Sequence, residues 1–223
     1  MKYVIRFEKT DLMVFISHLD LQRLLLRALR MAGYRPAYSH GFNPHPKLSI
    51  ALPLPLGFSS SCELMEVELE VGLPGGDAKG ARSAAQKLNE ILPDGLNILS
   101  VEEKDERVSR SYSALVTGAA YEILAKELPD LEDSVAVFLS QEQILAPKKI
   151  KKTGKIEQVD IKPLIQEFRV EKKWGLMTQF ACRVAAGAKS LNPLTLLEAF
   201  YAHAGLPYNP AEITVRRTQI FFD

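Results

Sequence analysis

No stretch of this chain approaches the ~20 consecutive apolar residues that a membrane-crossing helix needs, so no membrane span is expected. The N-terminus, MKYVIRFEK, interleaves charge with apolar residues where a secretory leader would be unbroken, and the expected compartment is the cytoplasm. Cysteine is scarce. Cys62 and Cys182 lie far apart, which predicts free thiols in a reducing compartment, and a metal site built on them would need ligands from elsewhere. There is no Walker sequence, dinucleotide fingerprint, CxxC pair or serine nucleophile elbow. GLPGGDAKG (72–80) is glycine-rich, but it follows no buried parallel strand and lacks the G-K-S/T ending of a nucleotide loop.

What is present is an ordinary globular composition, 47% hydrophobic and 25% charged over 223 residues, enough for one large or two small domains. The net charge of +1 conceals segregation: residues 1–50 carry +5, 51–110 −5, 111–147 −5 and 148–173 +5. Two basic blocks separated by acidic ones either form one polarised surface or simply solvate exposed faces.

The chain is organised around Ile16–Phe58, ISHLDLQRLLLRALRMAGYRPAYSHGFNPHPKLSIALPLPLGF, which holds His18, His40 and His45. Ser17 and Asp20 have the spacing of an N-capping pair. At 100° per residue Leu21, Leu24, Leu25, Ala28, Leu29 and Ala32 share one helix face, while Arg23, Arg27 and Arg30 line the opposite one. Gly33 and Pro36 end the helix. SHGFNPHP then reads as a stiff loop crowded with polar groups.

Around this stretch, KYVIRFEK is a strand. LSIALPLPLGF is a strand held to an edge or irregular path by Pro53 and Pro55, and CELMEVELEV is a strand with a wet side. Ala81–Leu92 reads as a helix and LNILSVEEK as a strand. Strand, helix, strand, strand, helix, strand is the split βαβ order of a ferredoxin-like unit, here assigned to 1–107 with KDERVSRS as the boundary. Residues 108–223 repeat the kind without visible sequence repetition. Tyr112–Leu124 reads as a strand and Leu131–Ser140 as a helix, and a Lys-rich turn around Gly154 leads into a strand ending near Ile161. Two strands follow, joined at Trp174-Gly175, then a helix from Pro193 and the closing strand EITVRRTQIFF. The expected fold class is α+β, two ferredoxin-like units in tandem.

The Arg23/Arg27/Arg30 stripe suits phosphate oxygens, although Asp20 can neutralise part of it. Lys148, Lys149, Lys151, Lys152 and Lys155 put five cations into eight residues, a pattern for backbone contacts without sequence preference or for a solvated turn. His40 and His45, with Asn43 between them, are candidates for general acid–base work, for substrate contact, or for holding the loop by hydrogen bonds. A metal would need a third ligand such as His18, Glu63 or Glu66 that the spacing does not supply, and none is expected. His203 reads as structural.

The central run, with IRFEK before it and CELMEVELE after it, resembles the signature of an uncharacterised radical-SAM-linked family. In that family an SHLD helix, an Arg-bearing face and a YS-x-GFNPHP loop recur together. The Lys-rich turn leading into VDIKPLI and the closing TVRRTQIFF are similar too. The matching residues are Ser17, His18, Asp20, Arg23, Arg27, Tyr38, Ser39, Gly41, Phe42, Asn43, Pro44, His45 and Pro46. Members occur beside, or fused to the C-terminus of, a radical SAM protein with a cobalamin-binding region, and their genes often lie near those for a ribonuclease and large-subunit ribosomal proteins. The resemblance implies an accessory subunit for radical chemistry on RNA. This chain lacks CxxxCxxC, so the iron–sulfur cluster and S-adenosylmethionine are expected in the partner and no cofactor in this chain.

The resulting expectation is a binding protein without catalytic activity of its own, meeting tRNA or rRNA through sheet faces and a basic cleft. Arg23, Arg27, Arg30, Lys47 and the 148–155 lysines would hold phosphates, and Tyr38, Ser39, Phe42, Asn43 and His45 would contact the substrate from the loop. The alternatives are a metal-independent RNA-processing enzyme using His40 or His45, and a purely structural subunit of the radical SAM partner. A pseudouridine synthase is disfavoured because no Asp stands in a matching loop.

Overall fold

Alternation of apolar and charged residues makes Lys2–Lys9 the first strand, β1, with Tyr3, Ile5 and Phe7 turned inward. The computed structural model describes residues 1–75, 78–126, 132–149, 154–174 and 177–223. Contacts divide the chain into two units, Met1–Val116 with Phe222–Asp223, and Thr117–Phe221.

In the first unit β1 is followed by a short 3₁₀ turn (Asp11–Phe15), α1 (His18–Met31), β2 (Leu48–Ile50), β3 (Ser59–Glu68), α2 (Ala78–Asn89) and β4 (Leu96–Glu103). The strands lie in the order β4-β1-β3-β2, antiparallel throughout, which is the ferredoxin-like arrangement. Both helices cover one sheet face. Leu21, Leu25, Ala28 and Leu29 of α1 and Ala84 and Leu88 of α2 are buried against Ile5, Phe7, Met65, Val67 and Ile98. Each buried leucine contributes about 1.5–3 kcal/mol, so the apolar stripe of α1 fixes that helix more firmly than its intrinsic propensity could. The strand after the His-Pro loop is only three residues long, because Pro53 and Pro55 cannot donate to a ladder.

The second unit runs through β5 (Val116–Lys126), α4 (Glu132–Ser140), β6 (Leu145–Lys149), β7 (Ile156–Asp160), β8 (Ile165–Trp174), β9 (Met177–Ala185), α5 (Pro193–His203) and β10 (Thr214–Phe222). The order β10-β5-β9-β8 repeats the ferredoxin-like plan, with β6 and β7 pairing separately as an inserted hairpin. Its core is aromatic. Phe200 packs edge-on against Phe138, Phe168 and Phe180 at 5.3–5.9 Å, and Phe168 stacks on Phe180 at 5.6 Å. The fold class is therefore α+β, two ferredoxin-like units in tandem.

Some elements differ from expectation. Tyr112–Leu115 is a single helical turn, α3, rather than the start of a strand. Ser111 caps it by accepting the Ala114 N–H, and extended structure begins only at Val116. The polar segment after β4 packs with the first unit instead of forming its end. The Glu66 carboxylate accepts the Tyr112 N–H (2.7 Å) and pairs with Lys104 (2.5 Å), and Lys104 also donates to the Arg110 carbonyl (2.7 Å). The Lys-rich segment is flanked by strands on both sides, although Pro147 and the lysines of β6 made that side read as a turn. The junction at Gly175 lies outside the described residues, but Trp174 and Met177 are register partners of an antiparallel pair.

Candidate functional site

Helix α1 starts where the sequence placed it. The Ser17 hydroxyl accepts the Asp20 N–H (3.1 Å) and donates to the Asp20 carboxylate (2.7 Å). That hydroxyl, and then the Arg23 guanidinium 3.0 Å away, hold the Asp20 carboxyl below the usual carboxylate range. Arg23, Arg27 and Arg30 are all exposed, and their states differ. Arg23 is paired to Asp20. Arg30 donates to the Tyr38 hydroxyl and sits 6.0 Å from its ring centroid. Arg27 has no hydrogen-bonding or ionic partner among the described residues.

After the helix, Gly33 takes φ +83°, the left-handed stop that a side chain would strain. The chain then runs alongside β3, with the Ala37 N–H on the Glu68 carbonyl (2.7 Å), and returns with the Lys47 N–H on Ala37 (2.8 Å) and the Glu68 N–H on Lys47 (3.0 Å). Lys47 pairs with Glu68 at 2.9 Å, and this bond holds the Glu68 carboxyl below its usual range. Lys47 is therefore tied up in a brace at the base of the loop.

Above that base, Tyr38 bridges Pro46. The Ser39 N–H donates to the His45 carbonyl (2.8 Å), and the Ser39 hydroxyl accepts the His45 N–H (2.9 Å). These bonds close a small loop whose tip is His40, Gly41, Phe42, Asn43 and Pro44, all exposed. Gly41 at φ +123° makes the reversal that other residues rarely adopt. Phe42 is fully solvated, at 106% of its reference accessibility. Leaving such a ring in water forgoes about 1.5–3 kcal/mol of burial. The loop is held by Ser39 and by backbone groups. The His40 and His45 imidazoles make no hydrogen bonds among the described residues, which removes the turn-holding role from both.

In the first unit, the face of β1 and β3 turned away from the helices bears Lys2, Arg6, Glu66 and Glu68 rather than stacking aromatics. On the hairpin of the second unit Lys148 is exposed, with Glu157 as its register partner, and Lys155 is exposed just before the returning strand. Lys149 belongs to β6, and Lys151 and Lys152 lie outside the described residues. No group of three or more His, Cys, Asp or Glu residues able to hold a metal gathers among the described residues. Burial pushes the Cys182 thiol up to about 12, so it is inert near neutral pH.

Sequence reasoning missed the Glu66–Lys104 pair, whose partners are 38 positions apart, and the buried Lys9 and Arg217. Lys9 donates to the Val14 carbonyl (3.3 Å) and Arg217 to the Tyr121 hydroxyl (3.3 Å). Charges within alternating strands read as solvent-facing, and no local signal marks the exceptions.

The sequence profile of a bacterial family matches residues 2–193. The chain belongs to the family described as "Uncharacterized protein conserved in bacteria (DUF2344)". No curated protein matches it in sequence. Among solved structures, this DUF2344 chain is similar to a chain of a Cbf5-Nop10-Gar1 complex, with TM-score 0.53 and 14% identity over 98% of this chain and 48% of that one. It thus spans about half the length of that neighbour, and at such identity the likeness shows the fold alone. A second solved structure, "Crystal structure of putative glycine cleavage system transcriptional repressor", aligns at 9% identity over 100% of this chain and 98% of its own, with a TM-score of 0.26, too low to bear on the fold.

Proposed function

We propose that this DUF2344 protein is an accessory, substrate-binding partner of a radical SAM enzyme and contacts RNA, tRNA or rRNA, through the loop after α1 and the arginines beside it. The observation that carries the reading is the loop tip. Phe42 and Asn43 are held out in water on a loop whose ends are fastened by hydrogen bonds among Ala37, Ser39, His45, Lys47 and Glu68, so little ordering is left to oppose binding. Aromatic rings presented in this way stack on unpaired bases, and amide side chains read their edges. Arg27, without an internal partner among the described residues, and Arg23 and Arg30 beside it supply phosphate contacts. The lysines of the β6–β7 hairpin provide a second basic element. The radical SAM partnership rests on the motif resemblance. The radical step, with its iron–sulfur cluster and S-adenosylmethionine, belongs to the partner, since this sequence has no CxxxCxxC.

The test is a salt titration of RNA affinity for the wild type and four folded variants. Arg23→Ala and Arg27→Ala should weaken binding to all sequences and flatten the salt dependence by about one unit for each phosphate interaction removed. Phe42→Ala and Asn43→Ala should cost about 1–3 kcal/mol with the salt slope nearly unchanged. Four variants that bind like wild type would exclude this stretch and favour a structural subunit. Metal-independent RNA cleavage that His40→Ala or His45→Ala slows by roughly 10²–10⁴-fold would replace the binding reading with an enzyme.

A further inference from the structure

A second feature of the first unit lies away from the loop and is independent of the RNA reading. Among the described residues, β4 is an edge strand paired with β1 alone. The Lys104 N–H donates to the Lys2 carbonyl (2.8 Å), so Lys104 faces β1. By antiparallel alternation Glu103 and Val101 direct their N–H and C=O groups outward. Neither has a partner there among the described residues. At the other end of the strand the outward groups of Ile98 are satisfied by a side chain that imitates a neighbouring strand. Asn89 accepts the Ile98 N–H (2.6 Å) and donates to its carbonyl (3.0 Å). The edge is therefore closed at Ile98 and open from Val101 to Glu103.

Beside the open part lies a groove of about 670 Å³ between α2 and β4. Ala78, Ala81 and Ala85 are its helix wall, with the i, i+3, i+7 spacing of one face, and their short side chains keep α2 from filling the space. Tyr3, Leu99 and Val101 complete the apolar lining. The Tyr3 hydroxyl accepts the Leu73 N–H (2.9 Å), so this polar atom is already satisfied. Leu99 stays 48% exposed at the lip. The strand lip carries one carboxylate on the groove face, Glu103, that no cation neutralises among the described residues; the Glu102 side chain, register partner of Val4 and acceptor of the Ser100 hydroxyl (3.0 Å), lies on the opposite face of the sheet. Arg82 stands on the helix lip, its Nε bonded to the Ala78 carbonyl (3.3 Å).

We propose that this groove is a docking site for an extended peptide segment of a partner protein, which adds as a strand to Val101–Glu103. It places one apolar side chain under Ala81 and Ala85 and, on the same face, a Lys or Arg beside Glu103. Unpaired edge donors and acceptors supply main-chain affinity, the alanine-walled space selects one apolar side chain, and the acidic lip selects the neighbouring charge. A small apolar ligand would use the space but leave the edge unpaired, and an acidic peptide would meet the Glu103 carboxylate unfavourably.

The probe is a phage-displayed library of random heptapeptides selected on the full chain, with the enriched peptides synthesised and measured by calorimetry. Enriched peptides should carry an apolar residue within two positions of Lys or Arg. Ala85→Phe, which fills the groove, should weaken them by about tenfold or more, and Glu103→Lys by roughly threefold or more. N-methylation of one alternate set of peptide amides should abolish binding, and methylation of the other set should not. Should Ala85→Phe fail to fold, the exposed Glu103→Lys change and slowed hydrogen exchange at the Val101 and Glu103 amides under saturating peptide carry the test. No enrichment, winners indifferent to both variants, acidic winners, or indifference to either methylation pattern would overturn the proposal. So would dimerisation of the chain alone that Ala85→Phe prevents, which would assign the groove to a second copy.

Discussion

The two units share one chain path and spend it differently. In each, four strands in the order 4-1-3-2 receive two helices, and in each an extra element is inserted at the same topological point, between the first helix and the second strand. In the first unit that element is the SHGFNPHP loop, in the second the β6–β7 lysine hairpin. The helices of the first unit bury leucine and alanine, whereas the second closes on four phenylalanines. Both segments singled out for nucleic-acid contact thus sit at the position the ferredoxin-like plan leaves open, where a long insertion leaves the sheet order intact. The lesson is that core chemistry and insertion chemistry vary independently on this scaffold.

The largest expected effect tests the contrast in cores. Phe200→Ala removes the ring that meets three other phenylalanines and Tyr201 and should cost about 3–5 kcal/mol, while Leu25→Ala in the first unit should cost about 2–3 kcal/mol. Urea unfolding of each variant followed by far-ultraviolet circular dichroism, which reports on both units, is the measurement. Equal costs would mean that the aromatic cluster packs no better than the aliphatic one. Phe42→Ala is the internal control and should shift stability by no more than about 0.5 kcal/mol, because its ring touches only water.

Next in size is the brace at the end of the first unit. Lys104 and Glu66 have side chains only 7% and 14% exposed, and Glu66 also holds the Tyr112 N–H. Lys104→Met leaves a largely buried carboxylate without its cation and should cost about 3 kcal/mol. Replacing both partners with apolar residues should restore much of that stability. If Lys104→Met is silent in thermal melting, the segment 105–116 is held by something other than this pair.

How much of this was legible in the sequence follows the range of each signal. Helix α1, its Ser17 cap, its Gly33 stop and the closed loop were all readable, because capping, periodicity and proline act over a few residues. The element order also came through, since each strand and helix carries its own period. Features set by distant partners did not: the Lys104–Glu66 brace, the Asn89 side chain closing β4, and the burial of Lys9 and Arg217. Strand β6 was missed for a different reason, because Pro147 and flanking lysines are turn chemistry everywhere except in a two-stranded hairpin. Within the candidate site, which residues are exposed was foreseeable. Which cations were already engaged was not.

The cysteines make a smaller, qualitative contrast between units. Cys62 is half-buried, while the Cys182 thiol is pushed up to about 12 by burial, so thiolate forms there only at strongly alkaline pH. A thiol-reactive disulfide reagent at neutral pH should label Cys62 in the native protein and reach Cys182 only on unfolding. Equal labelling rates would mean that the second unit opens readily in solution.

The smallest effect separates residues within the arginine stripe itself. Arg23 and Arg27 are one helical turn apart and both exposed, but Arg23 is paired with Asp20 and Arg27 has no such partner among the described residues. The Asp20 carboxyl is held below its usual range, first by Ser17 and then by Arg23, so it stays charged wherever the protein is assayed near neutral pH. The stabilisation from this lowered group is fully present above the unfolded value of about 4 and is lost as pH falls through the lower folded value. Asp20→Asn keeps the shape of the first helical turn and releases Arg23. If the stripe binds phosphates, RNA affinity should rise about two- to fivefold and the salt dependence should steepen by up to about one unit, at a slight cost in thermal stability. The same change combined with Arg23→Ala should return affinity to the level of Arg23→Ala alone, because the gain acts through that one guanidinium. A gain that survives the Arg23→Ala background would trace it to the general removal of a negative charge near the stripe, and the pairing of Arg23 would then have no bearing on binding.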